Sequence, residues 1–549
     1  DFSVANGSVY FVASDGRLYK QSLAAGAHKA ITPAFGHAAS PTPSPSGRHI
    51  AYVHSAEGTD RLAVVDAEGR TWPQILAQGA DFYMQPCWHP KRHMLSWVEW
   101  DHPQMPWDGT RLVLAMLGYS RGGTPYIRSQ HTVAGSRDEA IFQPCFSPDG
   151  RSLVYASDRT GWSQLWCRDL NEDAERCLTE ERYDIATPAW IQGLRAFGFA
   201  ADGTLYFVRS EQGRRRAYTL PLDGSALQPV ECLTEYNHVE QITPAPRGHH
   251  LACIASSPAV PARIVSCRAK RTRVHARSGS ESLSPRQLSQ PQAVSWAGAD
   301  SVTVYGLYYP PTSEQFVGTG KPPVVINVHG GPTSSVEMGF EARAQYFATR
   351  GWAFLDLNHR GSTGHGRAYM QALRGSWGVA DVDDALSAAQ YLCDARLADP
   401  ERLVLCGGSA GGYTVLRTLT AYPGSFRAGL CLYGISNLFS LTTDTHKFEA
   451  RYLDSLLGPL PEAAAVYRER SPLFSADNIC DPIALFHGSK DRVVPPTQAE
   501  EIVANLRRRG VPHAYHLYEG EGHGWRQSET IERFYRDVDS FLKEHVLFA

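Results

Sequence analysis

The sequence lacks any apolar stretch approaching the roughly 20 residues that a membrane-spanning helix needs. Its longest apolar runs are the length of buried strands, and a soluble chain is expected. It also lacks an excess of either charge. Lys and Arg number 53 against 56 Asp and Glu, a net charge of -3, which gives no electrostatic reason to expect a nucleic-acid or membrane partner and suits small or neutral substrates. The 11 cysteines contain no Cys-x-x-Cys pair and no grouping with histidine at metal-ligand spacing. Neither a disulfide framework nor a metal site is indicated. An odd number of scattered thiols leans toward a reducing compartment, so a cytoplasmic location is expected. No charged-then-apolar leader follows Asp1, so no signal peptide is expected in this sequence, and a removed leader stays open.

A chain of 549 residues exceeds what one hydrophobic core usually supports, so at least two domains are expected. The first half, to about residue 270, has no long stretch of helical periodicity. Short β-rich runs alternate there with clusters of Gly, Pro, Asp and Ser. A loose repeat is visible in the turns Ser44-Pro45-Ser46-Gly47, His89-Pro90-Lys91-Arg92, Ser147-Pro148-Asp149-Gly150 and Ala245-Pro246-Arg247-Gly248, each leading into an apolar run. One small sheet cannot bury both faces without neighbours, so stacked repeats of this kind predict a β-propeller over residues 1–270. The count of about six units gives six or seven blades; a β-sandwich or β-helix is the alternative. The first unit opens at Asp1, and residues ahead of it are expected to complete a blade.

Residues 271–292 are Ser- and Arg-rich with few apolar side chains, as expected of a solvated linker. From 293 to 549 strands and helices alternate, the pattern of a parallel sheet covered by helices. Strands are expected at Val324 to Val328, Ala353 to Leu357, Leu403 to Cys406, Gly429 to Tyr433, Ile483 to Phe486 and Ala514 to Tyr518. Helices are expected at Val382 to Leu392, Ala499 to Arg509 and Glu529 to His545.

Within this half, the apolar run Leu403 to Cys406 leads into Gly407-Gly408-Ser409-Ala410-Gly411-Gly412 and then a helical run from Tyr413. That is G-x-S-x-G between a strand and a helix, a sharp turn that exposes the serine hydroxyl at a helix N-terminus. A serine hydroxyl is a weak nucleophile and needs an imidazole base, which in turn needs a carboxylate to fix its tautomer. In the α/β-hydrolase fold these follow in the order Ser, Asp, His. Asp491 stands just beyond one buried strand, and His523 stands in the glycine-rich loop Gly520-Glu521-Gly522-His523-Gly524 beyond the next. Glu519 and Glu521 compete for the acid, and His487 and His516 for the base. Val328-His329-Gly330-Gly331-Pro332 matches the segment that supplies an oxyanion-hole amide, so the N–H groups of Gly331 and Ala410 would hold the tetrahedral intermediate; a plain glycine turn is the alternative, and His329 reads as structural.

Together the segments HGGPTSS, NHRGSTGHGRAY, WGVADVDD, CGGSAGGY, THKFEARYLDSLLG, DRVVPPTQ and EGHGW, with WVEWDHPQMPWD in the first half, resemble the prolyl oligopeptidase family, in particular its bacterial acylaminoacyl peptidases and dipeptidyl aminopeptidases. The resemblance implies an N-terminal propeller capping a C-terminal hydrolase, with the active site in the cavity between them and admission limited to short chains. It implies the triad Ser409, Asp491 and His523, with Gly331 and Ala410 at the oxyanion. Members that recognise a free amino terminus do so with acidic propeller side chains, which places Glu99, Asp101 and Asp108 as candidates, a packed blade edge with solvated acids being the alternative. Phe448 and Tyr452 fall in a segment that lines the acyl-side pocket in relatives; helix packing at i, i+4 would explain them equally. Arg360 and Asp381 read as structural ion-pair partners. Several relatives place Arg or Asn two positions after the catalytic acid to hold a substrate carbonyl. Here that position is Val493, with Arg492 beside it, and this tilts the reading from blocked peptides toward free amino ends.

The expected function is a serine peptidase acting on short peptides or aminoacyl amides from a free amino end, with no cofactor. An acylaminoacyl peptidase, or an esterase or deacylase using the same triad, remains open, as does an inert interaction scaffold. Whether chains associate into a homo-oligomer is also left open.

Overall fold

The computed structural model describes residues 1–222, 226–248, 250–268 and 270–548. The chain divides into two compact units. The first comprises residues 1–210, 216–255 and 264–276, and the second comprises 211–215, 256–263 and 277–549.

The first unit is built from small sheets. Four antiparallel four-stranded sheets occupy residues 2–30, 37–77, 82–134 and 141–177 in turn, and a sheet of eight strands covers 197–277. The first of them has its four strands within residues 2–30. Successive leading strands lie against one another: Phe2–Ala5 against His37–Pro43, then Phe82–Trp88, Ile141–Phe146, Phe197–Phe199 and His238–Pro244. Side chains between sheets are apolar, as in the cluster of Val53, Leu62, Trp97 and Val113.

The repeat reaches further than the turns. Ser40, Gln85, Gln143 and Gln241 hold equivalent places in their leading strands, and all have positive φ, between 50° and 54°. Around the first three the strand register slips, so the side chain at the bulge leaves the sheet. It then bonds the next repeat. The Gln143 amide N–H donates to Gln85 Oε1 at 2.7 Å, while Gln143 Oε1 accepts from the Ala196 amide at 2.6 Å and its Nε2 donates to Phe197 O at 2.6 Å. Gln143→Ala would strand those buried backbone groups and is expected to destabilise the first unit by about 2 kcal/mol, read as a lowered urea midpoint for that unit's transition.

The segment expected as a linker is partly ordered into sheet. Arg271–Arg277 is a strand at the edge of the eight-stranded array, and Thr272 Oγ1 donates to Cys232 O at 2.5 Å. Its outward arginines gave it the composition of a solvated connector, because an edge strand exposed on one face needs few apolar residues.

In the second unit eight strands form one sheet: β1 (Gln292–Ala297), β2 (Thr303–Tyr309), β3 (Val324–Val328), β4 (Ala353–Asn358), β5 (Leu403–Gly408), β6 (Ala428–Leu432), β7 (Ile483–Gly488) and β8 (His513–Tyr518). Their order is β1-β2-β4-β3-β5-β6-β7-β8. The first two strands run antiparallel and the rest parallel. All six strands expected from apolar runs are present, each within two residues at either end. The antiparallel β1 and β2 were not read. Along β3 and β5 alternate residues face opposite cores. Ile326, Val328 and Leu405 pack with helices α2 (Ala380–Asp394), α3 (Ala410–Ala421) and α4 (Thr497–Arg509), while Val325, Val404 and Cys406 pack with α1 (Ala342–Ala348) and α5 (Ser528–Leu542). This three-layer α/β-hydrolase arrangement brings the ends of β3, β5, β7 and β8, and the loops that follow them, to one edge of the sheet.

Candidate active site

Ser409 sits between β5 and α3 with φ 57° and ψ -122°, a conformation that an L-residue adopts only at a cost of about 1–3 kcal/mol. Close packing enforces it. A Cβ on Gly407 would lie 2.4 Å from Gly411 O, and one on Gly411 would lie 2.1 Å from Val328 O, so both flanking positions exclude any side chain. The turn is pinned by the Ser409 amide donating to Leu432 O at 3.0 Å and by the Tyr413 amide donating to Ser409 O at 3.0 Å.

Asp491 and His523 come together from the loops after β7 and β8. His523 Nδ1 is 2.7 Å from Asp491 Oδ2, and Asp491 Oδ1 accepts from the amides of Val493 and Val494, each at 2.9 Å. Burial alone would raise the Asp491 carboxyl, but the His523 contact and the two amides outweigh it and hold it below the usual carboxylate value. The Tyr433 ring packs against the His523 ring with centroids 4.5 Å apart, and it also stands 3.0 Å from where a Cβ on Gly408 would be. Tyr433 thus touches both the serine turn and the imidazole.

The competing residues are engaged elsewhere. Glu521 accepts from the Arg526 and Gln527 amides ahead of α5, and Glu519 is exposed. His516 Nδ1 pairs with Asp537 at 3.1 Å. His487 is buried, with Nε2 2.8 Å from Val494 O and 3.7 Å from Asp491 Oδ2, so it backs the acid's loop.

Gly331 has φ 125°, and a Cβ there would meet Thr333 N at 2.8 Å. Its neighbour Gly330 is held through its carbonyl by His329 Nδ1 at 2.8 Å, while His329 Nε2 is 2.7 Å from Ser362 Oγ. Burial, then the stacked His359, pushes His329 down to about 3, so it is neutral: Nδ1–H donates to Gly330 O and Nε2 accepts from Ser362. His329 shapes the glycine loop from behind.

Ser409, Ala410 and Gly331 line one pocket with about 540 Å³ of empty volume counted to its open mouth. Ile435, Leu441, Leu453, Leu456 and Trp377 supply apolar walls. Tyr452 lines it too, its hydroxyl 2.6 Å from Thr333 Oγ1. Phe448 is not part of that wall; the adjoining Glu449 and Ala450 are. Arg492 is exposed, and Val493 and Val494 take the wall position instead.

In the first unit, Glu99 lies directly across the strand pair from Arg111, which bonds Glu99 Oε1 at 3.2 Å and Asp101 Oδ2 at 2.8 Å. Glu99 Oε2 also accepts from Trp97 Nε1 at 2.8 Å, and buried Asp108 accepts from the Met105 amide at 3.2 Å. Arg360 and Asp381 do not pair with each other as expected. Arg360 binds Asp384 with Nε to Oδ1 at 2.9 Å, one turn further along α2, whereas Asp381 accepts from the Gly378 amide and Thr414 Oγ1, each at 2.6 Å. Three residues apart, the two acids share a face of α2 one turn from each other, and each takes the partner at its own level.

Sequence reasoning passed over Glu449, Trp377 and Tyr433. The first two lie in the motifs THKFEARYLDSLLG and WGVADVDD, which is the signal that could have found them.

Comparison with known proteins places these residues in a family. Residues 338–547 match the model described as the prolyl oligopeptidase family. Dipeptidyl aminopeptidase BIII of Pseudoxanthomonas mexicana is 31% identical over 276 residues, covering 48% of this chain and 40% of that enzyme. The acylamino-acid-releasing enzyme of Arabidopsis thaliana is 29% identical over 233 residues, covering 41% of this chain and 30% of that enzyme. The matched part is therefore less than half the length of either relative. A puromycin-hydrolyzing peptidase of Mycobacterium tuberculosis has a solved structure with TM-score 0.92 and 33% identity, over 100% of this chain and 86% of that one. Puromycin hydrolase, also solved in a complex with PGG, has TM-score 0.89 and 32% identity over 98% of this chain. With most of its α/β unit matched by the family model and its whole length alike to solved peptidases, the chain belongs to the prolyl oligopeptidase family.

Proposed function

We propose that Ser409, His523 and Asp491 are a catalytic triad that hydrolyses short peptides or aminoacyl amides at a free amino end. The observation that carries this reading is the 2.7 Å contact of His523 Nδ1 with a buried, doubly amide-bonded Asp491, on the sheet edge where the strained Ser409 turn stands. Asp491 keeps the imidazole proton on Nδ1, which leaves Nε2 to take the proton from Ser409 Oγ as it attacks the substrate carbonyl. The oxyanion that forms meets the N–H groups of Gly331 and Ala410, the latter at the N-terminus of α3, where the helix dipole adds to the stabilisation. Collapse of the intermediate passes the proton from His523 to the leaving amine. Water then repeats the sequence on the acyl-enzyme and releases the acid.

The apolar pocket beside Ser409 suits the side chain on the acyl side. Val493 offers no side-chain donor to a blocked peptide's extra carbonyl, which favours free amino ends. The names of the relatives point the same way: dipeptidyl aminopeptidase, puromycin-hydrolyzing peptidase and a puromycin hydrolase crystallised with PGG.

We propose further that the first unit closes as a six-bladed β-propeller, with the boundary to the hydrolase domain near residue 277. Six successive leading strands support this, as does Arg195, which donates to both Phe2 O and Thr243 Oγ1 and so spans the first and last of them.

A fluorophosphonate probe is expected to label the protein on the peptide that contains Ser409, and a free aminoacyl anilide is expected to turn over at least tenfold faster than its N-acetylated form. Faster cleavage of the acetylated form would replace this reading with an acylaminoacyl peptidase, and turnover of acyl esters alone with an esterase.

A further inference from the structure

We propose that Glu449 is the specificity residue that receives the substrate's α-ammonium group. This rests on the free-amino-end reading above and names the group that enforces it.

Glu449 ends the single 3-10 turn Lys447–Glu449 and lines the same pocket as Ser409, Ala410 and Gly331. It is the one acidic residue in a wall that is otherwise mostly apolar. Among the described residues no arginine or lysine lies within ion-pair distance of it. Its ionic neighbour there is the more exposed His446, at 3.9 Å, and a quarter of the Glu449 side chain remains open. By contrast, the acids of the Trp-rich segment are already engaged: Glu99 and Asp101 share Arg111, and Asp108 bonds the Met105 amide. An ammonium arriving at Glu99 would have to compete with a guanidinium.

The geometry of an aminoacyl group selects between the cations that a pocket carboxylate could hold. The α-nitrogen and the scissile carbonyl carbon are bonded to the same atom, so an amine anchor must stand within one residue's width of the nucleophile. Glu449 shares the pocket with Ser409 and feels the charge of His523. Burial raises its carboxyl, while His446 and then His523 draw it back. An apolar side chain and an ammonium on one carbon fit Leu453, Leu456 and Trp377 on one hand and Glu449 on the other. A side-chain cation would sit several bonds deeper, among those apolar residues.

The test compares three anilides: a free-amine leucyl anilide, its des-amino isostere, and Nα-acetyl-lysyl anilide. In the wild type the first is expected to have the higher kcat/KM. In Glu449→Gln the ratio of the first to the second should fall roughly 10- to 100-fold, the worth of a charged hydrogen bond, mostly through KM, and Glu449→Asp should recover part of it. A thermal unfolding curve reports that each variant folds. An unchanged ratio in folded Glu449→Gln, with the wild-type preference intact, would overturn the assignment to Glu449 and leave the free-amine reading standing. Loss confined to the lysyl substrate would overturn it in favour of a side-chain cation site. A wild type with no preference for the free amine would overturn the underlying reading itself.

Discussion

Ser409→Ala is expected to lower kcat by roughly a million-fold and to abolish fluorophosphonate labelling, with the fold unchanged. The two halves of this expectation have separate causes. The Ser409 hydroxyl takes part in no hydrogen bond among the described residues, so its removal breaks no structural contact. The strain in the turn belongs to the backbone and to Cβ, which alanine keeps; the amide bonds to Leu432 and from Tyr413 also remain. Thermal unfolding should therefore superimpose on that of the wild type. Activity falls because the acyl-enzyme path disappears, while Gly331 and Ala410 can still polarise a carbonyl. A residual rate on the order of a thousand-fold above the uncatalysed one should persist. Steady-state turnover of a free aminoacyl anilide, with the burst phase followed in the wild type alone, measures both. A variant that keeps even a hundredth of the wild-type kcat would mean that another residue is the nucleophile.

The proposed triad could be assigned from the sequence because most of it sits where the pattern is least ambiguous. Parallel strands buried on both faces are near-continuous apolar runs, so Val324–Val328 and Leu403–Gly408 declared themselves, and Ser409 and Asp491 stand just beyond such runs; His523 follows the half-exposed edge strand His513–Tyr518 and was found from its glycine-rich loop instead. The edges were harder. Thr303–Tyr309 is an antiparallel strand with Gly306 in its middle, placed there because a Cβ would lie 3.0 Å from Asp356 O, and a central glycine reads as a break. Arg271–Arg277 presents mostly solvated side chains and reads as a linker. The bulges at Gln85 and Gln143 depend on a bond to the following repeat, which no local propensity encodes. In the site, the family resemblance offered Phe448 as a wall residue, while the pocket beside Ser409 is lined by the carboxylate one position on. Which side of a single 3-10 turn faces a pocket depends on what the turn packs against, here the helix Tyr452–Leu457, a tertiary matter.

Asp491→Asn is expected to lower kcat by roughly ten thousand-fold, more than its nearly identical shape suggests. In the wild type, Asp491 Oδ1 accepts two backbone amides and Oδ2 faces His523 Nδ1. An asparagine keeps its oxygen on the Val493 and Val494 amides, since turning it over would set its NH2 against two N–H donors. Its own NH2 is then directed at His523 Nδ1. That nitrogen must become the acceptor, the ring proton moves to Nε2, and the imidazole can no longer take the proton of Ser409. The same exchange alters stability in the opposite sense at acid pH. The Asp491 carboxyl is held below its ordinary value, so the stability it contributes is fully present above the unfolded value near 3.9 and is lost as pH falls through the lower folded value. The asparagine side chain has no proton to gain, and the variant's urea midpoint should fall less steeply over that acid window than the wild type's. Asp491→Ala separates the two effects, because it leaves both amides without an acceptor at about 1–3 kcal/mol each and should be inactive and destabilised at every pH. An asparagine variant within tenfold of wild-type kcat would show that the imidazole takes its tautomer from another group, and His487, 3.7 Å from the same oxygen, would be the first to examine.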